Sequence, residues 1–276
     1  MSQLIDNLNI IESVKTDIKS AIENKGIDMT GVSFSGYAGK IGEISGGGTV
    51  GWDQKDITEG NIEITNLDNS ASFVASGALQ NNANIKTVNL PYATTVGDNA
   101  FNGCNILSQV SLPVCSYLGN AAFYNCRSLS QISLPMCTKV MKDCFQDCIS
   151  LSQLNLPVCS YIGNTVFWGC TSLSQLNLPV CKKIDIYTFY NCRSLSQVSF
   201  PVCSYIGNNA FQNCTSLSII TLGYSSLCSL GGSNVFSKTQ ITSSTGSIYV
   251  PASLVDTYKA YKNWSYFSTQ IFPIPE

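Results

Sequence analysis

Histidine is missing from all 276 residues, which removes the commonest general base and the commonest metal ligand. Charge is scarce as well. Asp, Glu, Lys and Arg make up 12% of the chain, against about a quarter in an average soluble domain. A net charge of −2 gives no electrostatic case for nucleic acid or an anionic membrane as partner. No apolar run approaches the ~20 residues of a membrane-spanning helix. The opening stretch, MSQLIDNLNIIESVKTDIKSAIENKG, lacks the basic start, unbroken apolar core and small-residue cleavage site of a signal peptide. Synthesis in a cytoplasm without standard export is therefore expected, with the cysteines reduced at first. Paired carboxylates, a glycine-rich phosphate loop and a nucleophile elbow are absent too, so the sequence predicts no enzyme and implies no cofactor.

Repetition is abundant. Pro91, Pro113, Pro135, Pro157, Pro179 and Pro201 stand 22 residues apart, and Phe101, Phe123, Phe145, Phe167, Phe189 and Phe211 keep the same step. The unit reads roughly L-P-V-C-S-Y-I-G-N-x-A-F-x-N-C-x-S-L-S-Q-[VIL]-[SN]. A fixed period of 20–29 residues with constant apolar positions predicts a repeat solenoid, here of parallel β coils about 4.8 Å apart, roughly seven or eight of them. Within one unit, Ser-Gln-Val-Ser-Leu-Pro at 108–113 alternates like a half-buried strand, ended by a proline that cannot donate to a ladder. A second short extended piece falls at 160–163. The three-residue spacing of Phe, Cys and Leu that follows suits a helical or 3-10 turn.

Eleven of the 13 cysteines lie eleven residues apart, from Cys104 to Cys214. The repeat resolves this run into two interleaved ladders. One follows proline (Cys115, Cys137, Cys159, Cys181, Cys203) and the other follows phenylalanine (Cys104, Cys126, Cys148, Cys170, Cys192, Cys214). A thiolate metal site would need converging pairs, and only Cys144 and Cys148 come near that spacing. In-register cysteines on stacked coils have parallel Cβ vectors, a poor geometry for disulfides. The favoured reading makes each cysteine a small buried wall residue.

Positions that recur once per coil form surface stripes. One stripe carries Tyr117, Lys139, Tyr161, Lys183 and Tyr205; another carries Tyr124, Trp168 and Tyr190 between Asn102, Gln146 and Gln212. Exposed aromatics at regular spacing can stack on sugars or anchor a protein partner, so these eight aromatic and lysine residues are the candidate binding residues. The Gln109, Gln131, Gln153, Gln175 and Gln197 stripe is expected to be a hydrogen-bonded amide ladder within the sheet.

Four parts are expected: a helical attachment segment at 1–44, a Gly-rich linker at 45–61, the solenoid at 62–250 and a helical cap at 251–276. Leu4, Leu8, Ile11, Val14, Ile18 and Ile22 sit at helical spacing in the first part, and Gly26 is a natural C-cap. A worn first repeat around Ala78, Leu79, Asn82 and Ile85 follows, with a strand expected before it at 62–65. Near the end, 248–251 predicts a last strand. Residues 253–256 resemble a capping box opening a helix with Leu254, Val255, Tyr258 and Tyr261 on one face. Trp264 and Phe267 would then seal the open end.

The pattern YIGNNAFQNCTSLS and its neighbours resembles the BspA-type leucine-rich repeats of gut and oral bacterial surface proteins, some protists and many bacteriophages. The closing SIYVPASLVDTYKAYKNWSYFSTQIFPI is similar to that family's usual end. Met141 and Asp185 depart from the pattern where it has glycine, which puts local turns in doubt. Separately, IKSAIENKGIDMTGVSFSGYAGKIGEI at 18–44 resembles a segment near the N-termini of phage tail and other virion proteins. Together the resemblances imply a non-enzymatic virion fibre or appendage, docked by its N-terminal segment to other virion proteins as a homo-oligomer. Its repeat surface would face a host protein or glycan. The alternatives are a purely structural decoration protein and a bacterial cell-surface adhesin.

Overall fold

The computed structural model describes residues 51–52, 72–223 and 227–275. It is a parallel β solenoid whose coils repeat the 22-residue sequence period. Three-residue strands line one side, beginning with Thr87–Asn89, Gln109–Ser111 and Gln131–Ser133, paired in parallel with Gln109 opposite Gln131 and Val110 opposite Ile132. The alternation read from the sequence sends Val110, Ile132 and Leu154 inward and the glutamines outward. Two-residue strands such as Tyr117–Leu118 and Lys139–Val140 form a second parallel ladder, with Tyr117 opposite Lys139 and Leu118 opposite Val140. Among the described residues the long-strand side carries nine strands, the last being Ile271–Pro273.

The third side has no strand. Its i→i+3 bonds, such as Asn102 N–H to the Asn99 carbonyl and Cys104 N–H to the Phe101 carbonyl (both 3.1 Å), are those of a 3-10 turn. No helix propagates, because two residues per coil, four apart, adopt left-handed backbone: Asn99 (φ 56) and Gly103 (φ 75), then Ala121 and Asn125, and so on to Asn209 and Asn213. This turns alternate N–H groups toward the next coil. Asn99, Phe101 and Gly103 donate to the carbonyls of Asn120, Ala122 and Tyr124 at 2.7–2.8 Å, and equivalent triplets recur at every step from Gly77 to Asn191.

Between the three sides lies one continuous apolar column. The phenylalanines stack coil upon coil, with ring centroids 5.0 Å apart from Phe101 to Phe123 and 5.8 Å from Phe145 to Phe167. Each is fully buried, worth about 1.5–3 kcal/mol of hydrophobic transfer. Glycine at the end of the short strands permits this spacing. A Cβ at Gly119 would stand 2.6 Å from the Asp98 backbone nitrogen, and one at Gly207 would stand 2.6 Å from that of Ile186. Of the two departures, Met141 keeps its bond to the Leu118 carbonyl at 3.0 Å. At the coil of Asp185 the short-strand ladder breaks, so that Lys183–Ile184 pairs forward with Tyr205–Ile206 and not back with Tyr161–Ile162.

The ends differ in detail from expectation. The attachment residues Leu4, Leu8, Ile11, Val14, Ile18 and Ile22, and the strand considered at 62–65, lie outside the described residues. Gly51–Trp52, inside the stretch assigned to the linker, pairs with Phe73–Val74 as the first rung. At the other end a helix forms at Val255–Ala260, but no side chain caps it; a 3-10 turn at Ala252–Leu254 leads directly into it instead of a capping box. Tyr258 is buried, whereas Tyr261 lies past the helix and is 43% exposed. Trp264 and Phe267 close over Phe236, with centroids at 5.9 and 5.3 Å. The strand at Ser247–Val250 is not the last, because the chain returns after the cap to add Ile271–Pro273 beside it. The sequence pattern does not mark that strand, because only Ile271 and Phe272 separate the preceding turn from Pro273.

Candidate binding surface

All thirteen cysteines are buried free thiols, and the two ladders use their S–H groups differently. After phenylalanine, each thiol donates to a carbonyl of the preceding coil: Cys126 to Phe101, Cys148 to Phe123 and Cys170 to Phe145, at 3.0–3.1 Å. After proline, each donates within its own coil to the carbonyl two residues on: Cys115 to Tyr117, Cys159 to Tyr161 and Cys181 to Lys183, at 3.2–3.3 Å. Burial pushes the thiols of Cys104, Cys115 and Cys159 up to about 12. A thiol held protonated and walled in is a poor nucleophile and a poor metal ligand. Cys144 and Cys148 are likewise raised by burial, and among the described residues no three potential ligands converge.

The two aromatic stripes lie on different sides. On the short-strand side Tyr161 is 44% exposed, Tyr117 and Tyr205 are half-buried, and Lys139 and Lys183 are exposed. Lys183 Nζ sits 5.5 Å from the centre of the Tyr205 ring and 3.0 Å from Asp185 Oδ2, which raises its pKa through that hydrogen bond. On the turn side Tyr124, Trp168 and Tyr190 are all half-buried. Trp168 stacks on Tyr190 at 4.2 Å, and Tyr187 packs against both rings at 5.3 and 5.7 Å. Tyr187 was not singled out from the sequence, since the corresponding position in other coils holds Asn, Ala, Asp or Thr.

The long-strand side forms an open groove of about 1180 Å³, running from Thr87 to Thr221 across seven coils and lined without a single charged residue. Its outward columns are glutamine, serine and asparagine. In place of the expected glutamine ladder, the amide bond between neighbouring coils found on this side among the described residues joins two asparagines, Asn177 Nδ2 donating to Asn155 Oδ1 at 3.0 Å. Gln109, Gln131, Gln153, Gln175 and Gln197 are exposed, and among the described residues their side-chain amides make no hydrogen bond. Adjacent coils stand about 4.8 Å apart, so each amide reaches solvent more easily than it reaches the next in line at a good angle. Five solvent-facing amides in one line were legible as a stripe; that they face a groove was not.

Among the described residues no helix is long and apolar enough to cross a membrane. The family description "BspA type Leucine rich repeat region" matches residues 58–170 and 138–261, in six copies. No curated protein matches the chain. Among solved structures, a leucine rich cell surface protein from Faecalibacterium prausnitzii is 26% identical with a TM-score of 0.52, over 55% of this chain and 43% of that one. A leucine-rich repeat protein from Eubacterium ventriosum is 25% identical with a TM-score of 0.51, over 58% and 44%. The leucine rich repeat protein of T. pallidum is 30% identical with a TM-score of 0.48, over 53% and 72%. The chain thus spans less than half the length of the first and second of these proteins. With the repeat period, the phenylalanine column and the family match covering most of its length, the chain belongs to the BspA-type leucine-rich repeat family.

Proposed function

We propose that this protein is a non-enzymatic recognition protein of the surface-displayed, adhesin-like kind, and that its long-strand groove binds a neutral, hydroxyl-rich polymer such as a glycan. The observation that carries the reading is the line of five free glutamine amides in an uncharged groove. Amides offer both donors and acceptors, matching hydroxyls and rejecting nothing by charge. The Faecalibacterium relative, described as a cell surface protein, supports the surface role. The stripe residues Tyr117, Tyr124, Lys139, Tyr161, Trp168, Lys183, Tyr190 and Tyr205, which lie on the other two sides of the coils, would make contacts separate from the groove.

A glycan microarray tests this. Binding to neutral glycans is expected, weakened about tenfold or more when Gln153→Ala and Gln175→Ala are combined, since each lost hydrogen bond contributes roughly 0.5–1.5 kcal/mol. Binding confined to acidic glycans, or undiminished by the double change, defeats the groove reading. Trp168→Ala and Tyr161→Ala report separately on the stripes.

A second reading, a phage virion appendage docked through its N-terminal segment, rests on the resemblance of residues 18–44 to virion proteins. Deleting residues 1–48 tests it: the truncated chain should fail to enter phage particles.

A further inference from the structure

In the strand-side ladder each cysteine is followed at the second position by an outward residue and at the third by an inward aliphatic, as in Cys203-Ser-Tyr-Ile206. At Cys228 one residue is missing from this pattern, because Cys228-Ser-Leu230 reaches the inward position a step early. Strand pairing keeps Leu230 opposite Ile206 and Ser229 opposite Tyr205, which shifts Cys228 by one place against Cys203. The shift removes the carbonyl that its neighbours use. Cys203 Sγ donates to the Tyr205 carbonyl at 3.1 Å, while Cys228 Sγ has only the Ser229 carbonyl at 3.9 Å.

The register places the displaced Cys228 diagonally beside Cys203, since Ser229 N–H donates to the Ser204 carbonyl at 2.9 Å, and the interaction of the two side chains lowers Cys203 and pushes Cys228 up. Cys192 and Cys214, which also interact across neighbouring coils, stay in register. There each thiol remains committed to its own carbonyl, Phe167 and Phe189, at 3.0 and 2.9 Å. Cys203 and Cys228 are therefore diagonal neighbours on paired strands and not directly opposite, unlike the other cysteines of this ladder, and both are buried, a placement that brings their Cα atoms within the range a disulfide spans. The cap grips this point. Cys228 N–H donates to the Tyr258 hydroxyl at 2.8 Å, and Trp264 Nε1–H donates to the Cys228 carbonyl at 2.6 Å.

We propose that Cys203 and Cys228 are a built oxidation site, whose disulfide fastens the last coil and its cap to the body of the solenoid. The oxidant is a low-molecular-weight disulfide of the glutathione class. Cys203 thiolate attacks one of its sulfurs, forming a mixed disulfide and releasing one thiolate. Cys228 then loses its proton to water and attacks the Cys203 sulfur, expelling the second thiolate. Two protein thiols lose two electrons and two protons, and one reagent disulfide becomes two thiols. The inference does not rest on the proposed groove ligand.

The test uses the full chain, incubated with oxidised glutathione, then denatured, alkylated, digested and analysed by mass spectrometry. The expected result is eleven alkylated cysteines, thirteen less two, with one dominant Cys203–Cys228 cross-linked peptide and a higher melting temperature. Cys228→Ala should keep all twelve remaining thiols alkylatable and show no rise in melting temperature. Should that variant fail to fold by circular dichroism, Cys203→Ala serves the same purpose and must leave Cys228 alkylated. Thirteen alkylated cysteines after oxidation, or equal cross-linking at Cys192 and Cys214, would overturn the proposal.

Discussion

The turn side of the solenoid and its two strand sides bond the coils together in different ways, and the side without strands is the more continuous. Three N–H groups per coil reach the next coil at every step from Gly77 to Asn191, followed by Phe211 to Val235 and Asn213 to Ser237. The long-strand ladder is interrupted between Gln131–Ser133 and Gln153–Asn155 and again between Gln175–Asn177 and Gln197–Phe200, and the short-strand ladder at Lys183–Ile184. The difference follows from backbone orientation. Two left-handed residues, four apart, frame each turn, so alternate N–H groups point toward the next coil and lock as a set. The strand sides carry no such set, and the short-strand ladder breaks at the coil of Asp185. The cysteines repeat the contrast, bonding between coils on the turn side and within a coil on the strand side. In this fold, residues that tolerate positive φ, chiefly Asn, Gly and Asp, hold the coils more evenly than residues of high β propensity.

Alkaline pH should break both sides together and give the largest effect. Burial raises Cys104 on the turn side to about 12, and on the strand side Cys115 to about 12 and Cys181 to about 11, from an ordinary 9.0. Above pH 9 the unfolded thiols lose protons that the folded ones keep, so stability is full below pH 9 and declines as pH rises toward 12. A melting temperature that stays flat between pH 9 and 11 would contradict the burial of the ladders. A smaller effect separates the sides. Cys148→Ala removes an inter-coil bond as well as buried sulfur and should cost about 2 kcal/mol, against about 1 kcal/mol for Cys159→Ala, by chemical denaturation. Equal losses would mean that the direction of the thiol bond is immaterial.

Much of this architecture was readable because a repeat averages out local ambiguity. Val110, Phe123 and Cys126 are weak signals singly, yet each recurs at a 22-residue step, which leaves an inward column as the simplest account. The turn conformation was less readable. Ala121, Thr165 and Tyr187 hold positions where the backbone is left-handed, and none of them advertises it. Only the Asn and Gly of sister coils do. The groove was hidden for another reason: an exposed glutamine stripe looks the same in sequence whether its amides bond to each other or to nothing. The step of 24 residues between Tyr205 and Ser229, where one pairing replaces the usual 22, was visible as an insertion but not as a change in which way a thiol points.

Ala121 offers the finest test of the turn side. Its φ of 52 places a Cβ where left-handed backbone costs an ordinary residue roughly 1–2 kcal/mol. Sister coils put Asn99 and Asn209 there, and asparagine visits this region at little cost. The Ala121 side chain makes no hydrogen bond, so nothing offsets the strain, and its N–H must still reach the Lys142 carbonyl at 2.9 Å. Ala121→Asn should therefore stabilise the chain by about 0.5–1 kcal/mol, raising the melting temperature and slowing amide exchange at Ala122 and Phe123. The same substitution on a strand side, at Ser133, has no strained backbone to relieve and should leave stability unchanged. If the two substitutions behave alike, positive φ is not what distinguishes the turn side, and its continuity must come from the phenylalanine column behind it.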